Sequence, residues 1–193
     1  MSGKVKFTID DLHRDAMRGL LLDSADDYER DHGEALDADP NPMGFSALLM
    51  FATATMVHRR FALAYTLADV IRFVARVRGA LDAPKAVGAL ITEKTIRMLL
   101  DDPSLGETPP FGASPEDMAT AVSAVLFQLV DEAGLDRDGV DSLIAEAAQV
   151  IDGREFDVDA LPVAVPPGSW SACAHRDRPA RCRRPPGRCG SAA

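Results

Sequence analysis

The stretch MGFSALLMFATATMV, residues 43–57, decides the architecture. Its inner part, the thirteen residues 45–57, is the longest uncharged apolar run in the chain. A membrane-crossing helix needs about 20 such residues, so this one is too short to span a bilayer. It is apolar on every face at helical pitch, which predicts a helix buried in the middle of a bundle. Thr53 and Thr55 would lie half-buried there and need backbone partners for their hydroxyls.

The segments on either side supply the surrounding layer. Upstream, Leu12, Ala16 and Leu20 recur at helical spacing beside Met17, Leu21, Ser24 and Tyr28. That spacing predicts a helix over 9–32, capped by Thr8 with Asp11 capping it in return. The prolines at 40 and 42 end it, because each disfavours α geometry in the residue before it. Downstream, Thr66 and Asp69 form a second capping box, followed by Leu67, Val70, Ile71, Val74, Val77 and Leu81 as an apolar stripe. Asp82-Ala83-Pro84 can start a short segment with Gly88 inside it, and residues 92–100 read as a further short helix with Ile96 inward.

A proline-bearing loop over 101–113 precedes the clearest helix start in the chain, Ser114-Pro115-Glu116-Asp117. A serine cap, a proline at the first helical position and acids in the first turn all agree there. Met118, Val122, Val125, Leu126, Leu129, Val130 and Ala133 make the stripe, and Gly134-Leu135 the stop. Asp138 is expected to cap a last helix carrying Val140, Leu143, Ile144, Ala147, Val150 and Ile151, with Gly153 at its end. Residues 154–161 alternate apolar and charged, which predicts a short extended strap docked by Phe156 and Val158. The expected fold is therefore all-α: an irregular bundle of five to seven helices over 1–161.

The end of the chain is of a different composition. Residues 166–193 contain no Leu, Ile, Val, Met or Phe, and 162–193 hold all three cysteines, Cys173, Cys182 and Cys189. Such a segment has nothing with which to build a core, so a disordered, basic Arg/Pro/Cys-rich tail is expected. All of its residues can be written with GC-rich codons, which suggests an out-of-frame end that translation of the same DNA in the other two frames past Val165 would test. The Ala-, Val-, Asp- and Arg-rich texture of the rest suits a GC-rich bacterial genome.

Charge is strongly segregated. The net formal charge is −6 over 1–57, +5 over 58–97, −13 over 98–161 and +5 over 162–193, giving −9 in all. An acidic body repels nucleic acid and anionic lipid at long range. No apolar leader is present in MSGKVKFTIDDL, and the cysteine-free body suits a reducing compartment, so a cytoplasmic protein without a membrane partner is expected.

Motifs that would carry chemistry are few. Glu29-x-x-His32 has the spacing with which di-iron bundles place two ligands on one helix face, but no second copy exists, and solvated charges near a helix end explain it. Cys173, His175, Cys182 and Cys189 lack a Cys-x-x-Cys pair, so no zinc site is assigned. Asp136-Arg137-Asp138-Gly139 fails as a calcium loop because positions one and twelve would be Gly134 and Ala145. His13-Arg14-Asp15 resembles a kinase triplet only by coincidence, with no glycine-rich loop in the chain. No catalytic residue, metal or cofactor is assigned.

One feature goes beyond bare architecture. His58, Arg59, Arg60, Arg72 and Arg76, with Arg78, Lys85, Lys94 and Arg97, concentrate positive charge in an acidic chain. The plain reading is internal balance, with these cations facing the acidic first and last helices. The functional reading is a patch for an acidic partner or a phosphate group. The leading expectation is a module that binds another protein or itself. A small-molecule binder or enzyme with a pocket among the central helices is the alternative. A regulator contacting nucleic acid through 58–97 is a weaker one, since no short glycine turn joins two suitable helices.

Overall fold

The computed structural model describes residues 4–61, 64–81, 87–107 and 109–157. The Arg/Pro/Cys-rich tail, Lys85, the start at Asp82-Ala83-Pro84 and the docking of Val158 lie outside the described residues. Within them the protein is an all-α irregular bundle of seven helices, counting the continuous helical run over 25–37 as one, and most of the described residues are helical.

The central helix is α4, Pro42–Phe61. Residues 44–50 are all buried, so the first half of the helix is covered on every side, as its sequence predicts; in the second half Ala52, Thr53, Met56 and Val57 are buried while Phe51, Ala54 and Thr55 are half-buried. The Thr53 hydroxyl donates to the Leu49 carbonyl at 2.7 Å, which supplies the backbone partner that a buried threonine needs. Four helices cover α4: α1 (Asp11–Leu22), α6 (Ala89–Leu99), α7 (Pro115–Ala133) and α8 (Arg137–Ile151). The remaining long helix, α5 (Leu67–Gly79), packs on α6 and α7.

The local signals that start these helices are mostly those in the sequence. Thr66 and Asp69 cap α5 reciprocally, and Ser114 and Asp117 do the same for α7 with Pro115 at its first position. Gly134 ends α7 at φ 62°, a left-handed turn that glycine adopts without a Cβ clash, and Leu135 N–H returns to the Val130 carbonyl at 3.2 Å.

Four boundaries differ from the sequence expectation. The predicted helix over 9–32 begins at Asp11 with Asp10, not Thr8, as its cap. It breaks after Leu22, where Ser24 caps a new segment: α2 (Ala25–Tyr28), a π-helical turn (Glu29–Gly33) and α3 (Glu34–Asp37). The last helix is capped by Asp136, whose carboxylate accepts from Gly139 N–H at 3.0 Å, so Asp138 sits inside the first turn. And α6 starts at Ala89 with Gly88 as its cap, three residues before the expected start.

The strap after α8 is a strand, β2 (Glu155–Asp157), paired antiparallel with β1 (Lys4–Lys6) so that Val5 faces Phe156. Phe156 docks as expected, 5.6 Å from the Phe7 ring and 5.4 Å from Phe51 on α4. Both chain ends of the domain are thereby fixed to the same side of the central helix. Among the described residues no helix is long and apolar enough to cross a membrane.

Candidate functional site

The last turn of α4 emerges from the core as His58-Arg59-Arg60, all three exposed. Each arginine meets an acid from a neighbouring helix. Arg59 pairs with Glu146 of α8. Arg60 Nε lies 3.7 Å from Glu132 Oε2 of α7, and Arg76 Nε of α5 lies 2.8 Å from Glu132 Oε1. Partial burial pushes the Glu132 carboxyl up, but hydrogen bonds from Arg76 and Gln128 and the charge of Arg60 outweigh it, leaving the carboxyl below its ordinary range. The two guanidinium groups also lie over aromatic rings, Arg60 at 5.2 Å from the Phe61 centroid and Arg76 at 5.4 Å from Phe73. Those two rings stack edge to face at 5.5 Å, which gives the cations a rigid base.

Between the C-terminal ends of α4 and α7 lies an open cleft of about 240 Å³. Met56, Leu129, Ala133 and Leu135 supply apolar walls, and Arg59, Arg60 and Glu132 supply charged ones. The structure thus brings Arg59 and Arg60 to one apolar recess, with Arg76 joined to it through the shared Glu132. Arg72 stands one turn before Arg76 on α5, exposed, with Asp69 of its own helix as an ionic partner at 2.7 Å. The acids that meet Arg59, Arg60 and Arg76 come from α7 and α8; the contribution expected from the first helix is not seen among the described residues.

Two of the other cations serve a different purpose. Arg97 binds Asp102 at 2.8 Å, Glu93 at 3.1 Å and the Ser104 hydroxyl at 3.0 Å, and Lys94 binds Glu107 at 2.5 Å. They hold the loop that follows α6. The Ser104 hydroxyl and then Arg97 hold the Asp102 carboxyl far below its usual range. Asp69 is held at about 2, first by the Thr66 hydroxyl and N–H and then by Arg72.

Both carboxyls have folded-state pKa values below their ordinary ones. Their stabilising effect is therefore complete above about pH 5 and is lost as pH falls from about 4 towards 2. Asp69→Asn removes this titration from the α5 cap, so its melting temperature should decline less steeply than the native protein's between about pH 5 and 2. Parallel curves for the two proteins would show that Asp69 does not contribute.

The sequence reading passed over a second cluster. His13 is fully buried, with Nε2 at 2.7 Å from Asp39 Oδ2. Its Nδ1 accepts from Asp10 N–H at 3.3 Å while its own N–H donates to Asp10 Oδ1 at 3.1 Å. This pattern places the ring proton on Nε2, pointing at Asp39. Asp39 Oδ1 in turn accepts from Asn41 N–H at 2.8 Å, and Asn41 Nδ2 donates to the Thr8 carbonyl at 2.8 Å. His13, without Arg14 or Asp15, thus forms a clamp joining the start of α1 to the turn before α4.

Asp10, His13 and Asp39 also form the one close grouping of metal-ligand types among the described residues. Their carboxylates lie at opposite nitrogens of one ring, each already hydrogen-bonded, which fits a clamp better than a coordination sphere. The ring needs Gly44: a Cβ there would fall 2.4 Å from His13 Cε1. Gly44→Ala should therefore cost about 1–3 kcal/mol in urea unfolding despite alanine's better helix propensity. A more stable variant would mean that the ring moves aside freely.

Glu29 and His32 are half-buried rather than solvated, contrary to the sequence reading. The carboxylate lies against Gly33, and the imidazole lies against Gly19 and beside the Tyr28 ring at 5.7 Å. Both glycines leave room for these side chains, so the Glu-x-x-His spacing serves packing of the π-helical turn on α1.

Comparison with protein-family models, curated proteins and solved structures returns no match for this chain.

Proposed function

We propose that this domain is a protein-interaction or assembly module, and that an acidic stretch of its partner docks on the cationic corner formed by Arg59, Arg60, Arg72 and Arg76. The observation that carries the reading is the apolar recess of about 240 Å³ opening beneath a guanidinium rim. Small-molecule sites commonly measure about 300–1,000 Å³, so a recess of this size suits a single apolar side chain of a larger partner. Carboxylates flanking that side chain would reach the rim.

The corner's own acids do not block such exchange. The Arg59–Glu146 pair is nearly half exposed on both sides, and exposed pairs of this kind contribute about 0–1 kcal/mol. A partner's carboxylate can therefore replace Glu146 at little cost. Positive charge set in an acidic body also orients an acidic segment towards this one region and away from the rest of the surface.

The test compares partners retained from cell extract by the native chain and by the Arg59→Glu/Arg60→Glu double variant. The reading expects about a tenfold loss of affinity in the variant, equivalent to about 1.4 kcal/mol over two charge reversals. It also expects release at ~1 M salt, where the Debye length falls to about 3 Å. Retention of the same partners by the variant, or insensitivity to salt, would overturn it.

A further inference from the structure

We infer that the outer face of α5 is a track for an amphipathic, acid-flanked helix belonging to a different protein. The inference rests on the interaction reading above and supplies the form of the partner.

Leu67, Ile71, Ala75 and Gly79 recur every fourth residue, which sets them along one side of a helix. The sequence stripe predicts Leu67 and Ile71 inward with Val70 and Val74. The structure instead buries Val70, Phe73, Val74 and Val77 and turns Leu67 and Ile71 outward, 49% and 51% exposed. Ala75 and Gly79 are exposed on the same side, and a Cβ added to Gly79 would meet nothing within 4 Å. The face thus offers two large apolar side chains at one end and a low, smooth surface at the other, where another helix can approach closely. Arg72 and Arg76 run alongside it.

The charge of α5 selects the occupant. The helix carries Arg72, Arg76 and Arg78 against Asp69 alone. Pairing α5 with α5 of a second copy would set like charges against each other. The acidic helices of a second copy do not fit either. Among the described residues the exposed large hydrophobics are Leu67, Ile71 and Leu90, so no acidic helix presents an apolar stripe. Of the same chain, residues 158–165 are interrupted by Pro162 and too few to form a helix along the track, and residues 166–193 are Arg-rich and lack Leu, Ile, Val, Met and Phe, which gives them the wrong charge and no apolar anchors. The remaining occupant is a foreign helix with apolar residues at helical spacing and Asp or Glu beside them, recognised in the helix-in-groove manner. The thirteen residues of α5 give a track about 20 Å long, room for a partner helix of about four turns.

The experiment selects phage-displayed helical peptides of about 18 residues on the full chain at low salt, with Leu fixed along one face and the flanking positions randomised. The flanks should converge on Asp and Glu. Binding of the selected peptides should fall about tenfold or more in Ile71→Asp and in Leu67→Asp, with the far-ultraviolet circular dichroism of both variants unchanged. Flanks that do not become acidic overturn the inference. So does unchanged binding by both variants. Acidic peptides that are lost with Arg59→Glu/Arg60→Glu but not with Ile71→Asp overturn the α5 track and leave the cationic corner standing. Failure to enrich any peptide overturns both. If Ile71→Asp converts a dimer of the native chain to a monomer, the occupant is a second copy and the inference is wrong.

Discussion

His13→Ala should lower the stability of the domain by about 1–3 kcal/mol, the cost of leaving a buried hydrogen-bonding group without its partner. The imidazole is fully buried and the Asp39 side chain is only 2% exposed, so nothing replaces the lost donor. Asp39 would keep the Asn41 N–H on one oxygen and lose its 2.7 Å contact on the other. The Asp10 N–H at the start of α1 would lose its acceptor at the same time. The expected result is a shifted urea midpoint with an unchanged slope, since the folded core is otherwise intact. Removing the orphaned acid as well, in His13→Ala/Asp39→Ala, should recover part of the loss, because a missing pair costs less than a buried unpaired charge. A loss below about 1 kcal/mol in the single variant would show that the clamp is not a structural element.

Leu48→Ala tests the central helix directly. Leu48 is fully buried on α4, and truncating such a side chain costs about 2–5 kcal/mol through lost burial and the cavity left behind. Leu67→Ala provides the contrast. It removes the same atoms from the same residue type at a position half exposed on α5, and should change stability by no more than about 0.5 kcal/mol. Equal effects at the two positions would mean that the assignment of inside and outside is wrong for at least one helix.

Much of the fold is legible in the sequence because its signals are local. The caps at Thr66 and Ser114, the glycine at 134 and the uncharged run over 45–57 each specify their structure through neighbours within a few residues. The misreadings arise where distant contacts choose between local options of similar strength. Thr8 is an acceptable cap, but its carbonyl is held by Asn41 and the next residue's N–H by Asp152, so the helix starts later, at the Asp10–His13 box. Ser24 and Asp27 are themselves a cap pattern, which the apolar periodicity through Ser24 and Tyr28 obscured. The β1–β2 pairing joins residues about 150 positions apart, beyond the reach of any periodicity argument.

The candidate site was legible in part for the same reason. The sequence shows that Arg59, Arg60 and Arg76 are cationic, but not that Arg59 and Arg60 line one recess or that Arg60 and Arg76 share Glu132. That depends on Glu132 and Glu146 from later helices and on the apolar walls from Met56, Leu129 and Leu135. The clamp at His13 is not legible in the sequence because its partner Asp39 lies beyond the whole of the first helical region. The outward turn of Leu67 and Ile71 is not legible because a stripe of apolar residues wider than one contact face has no sign in sequence alone; Phe73, absent from that stripe, takes the buried position.

The cationic corner requires α4 to be the buried axis of the domain, with its last turn, from His58 onward, brought out to the surface. Residue-resolved amide hydrogen exchange on the full chain measures this directly. The account predicts that the amides of α4 between Leu48 and Met56 are among the slowest to exchange, together with those of α7 between Val122 and Val130. Exchange in α4 as rapid as in the loop after α6 would contradict it.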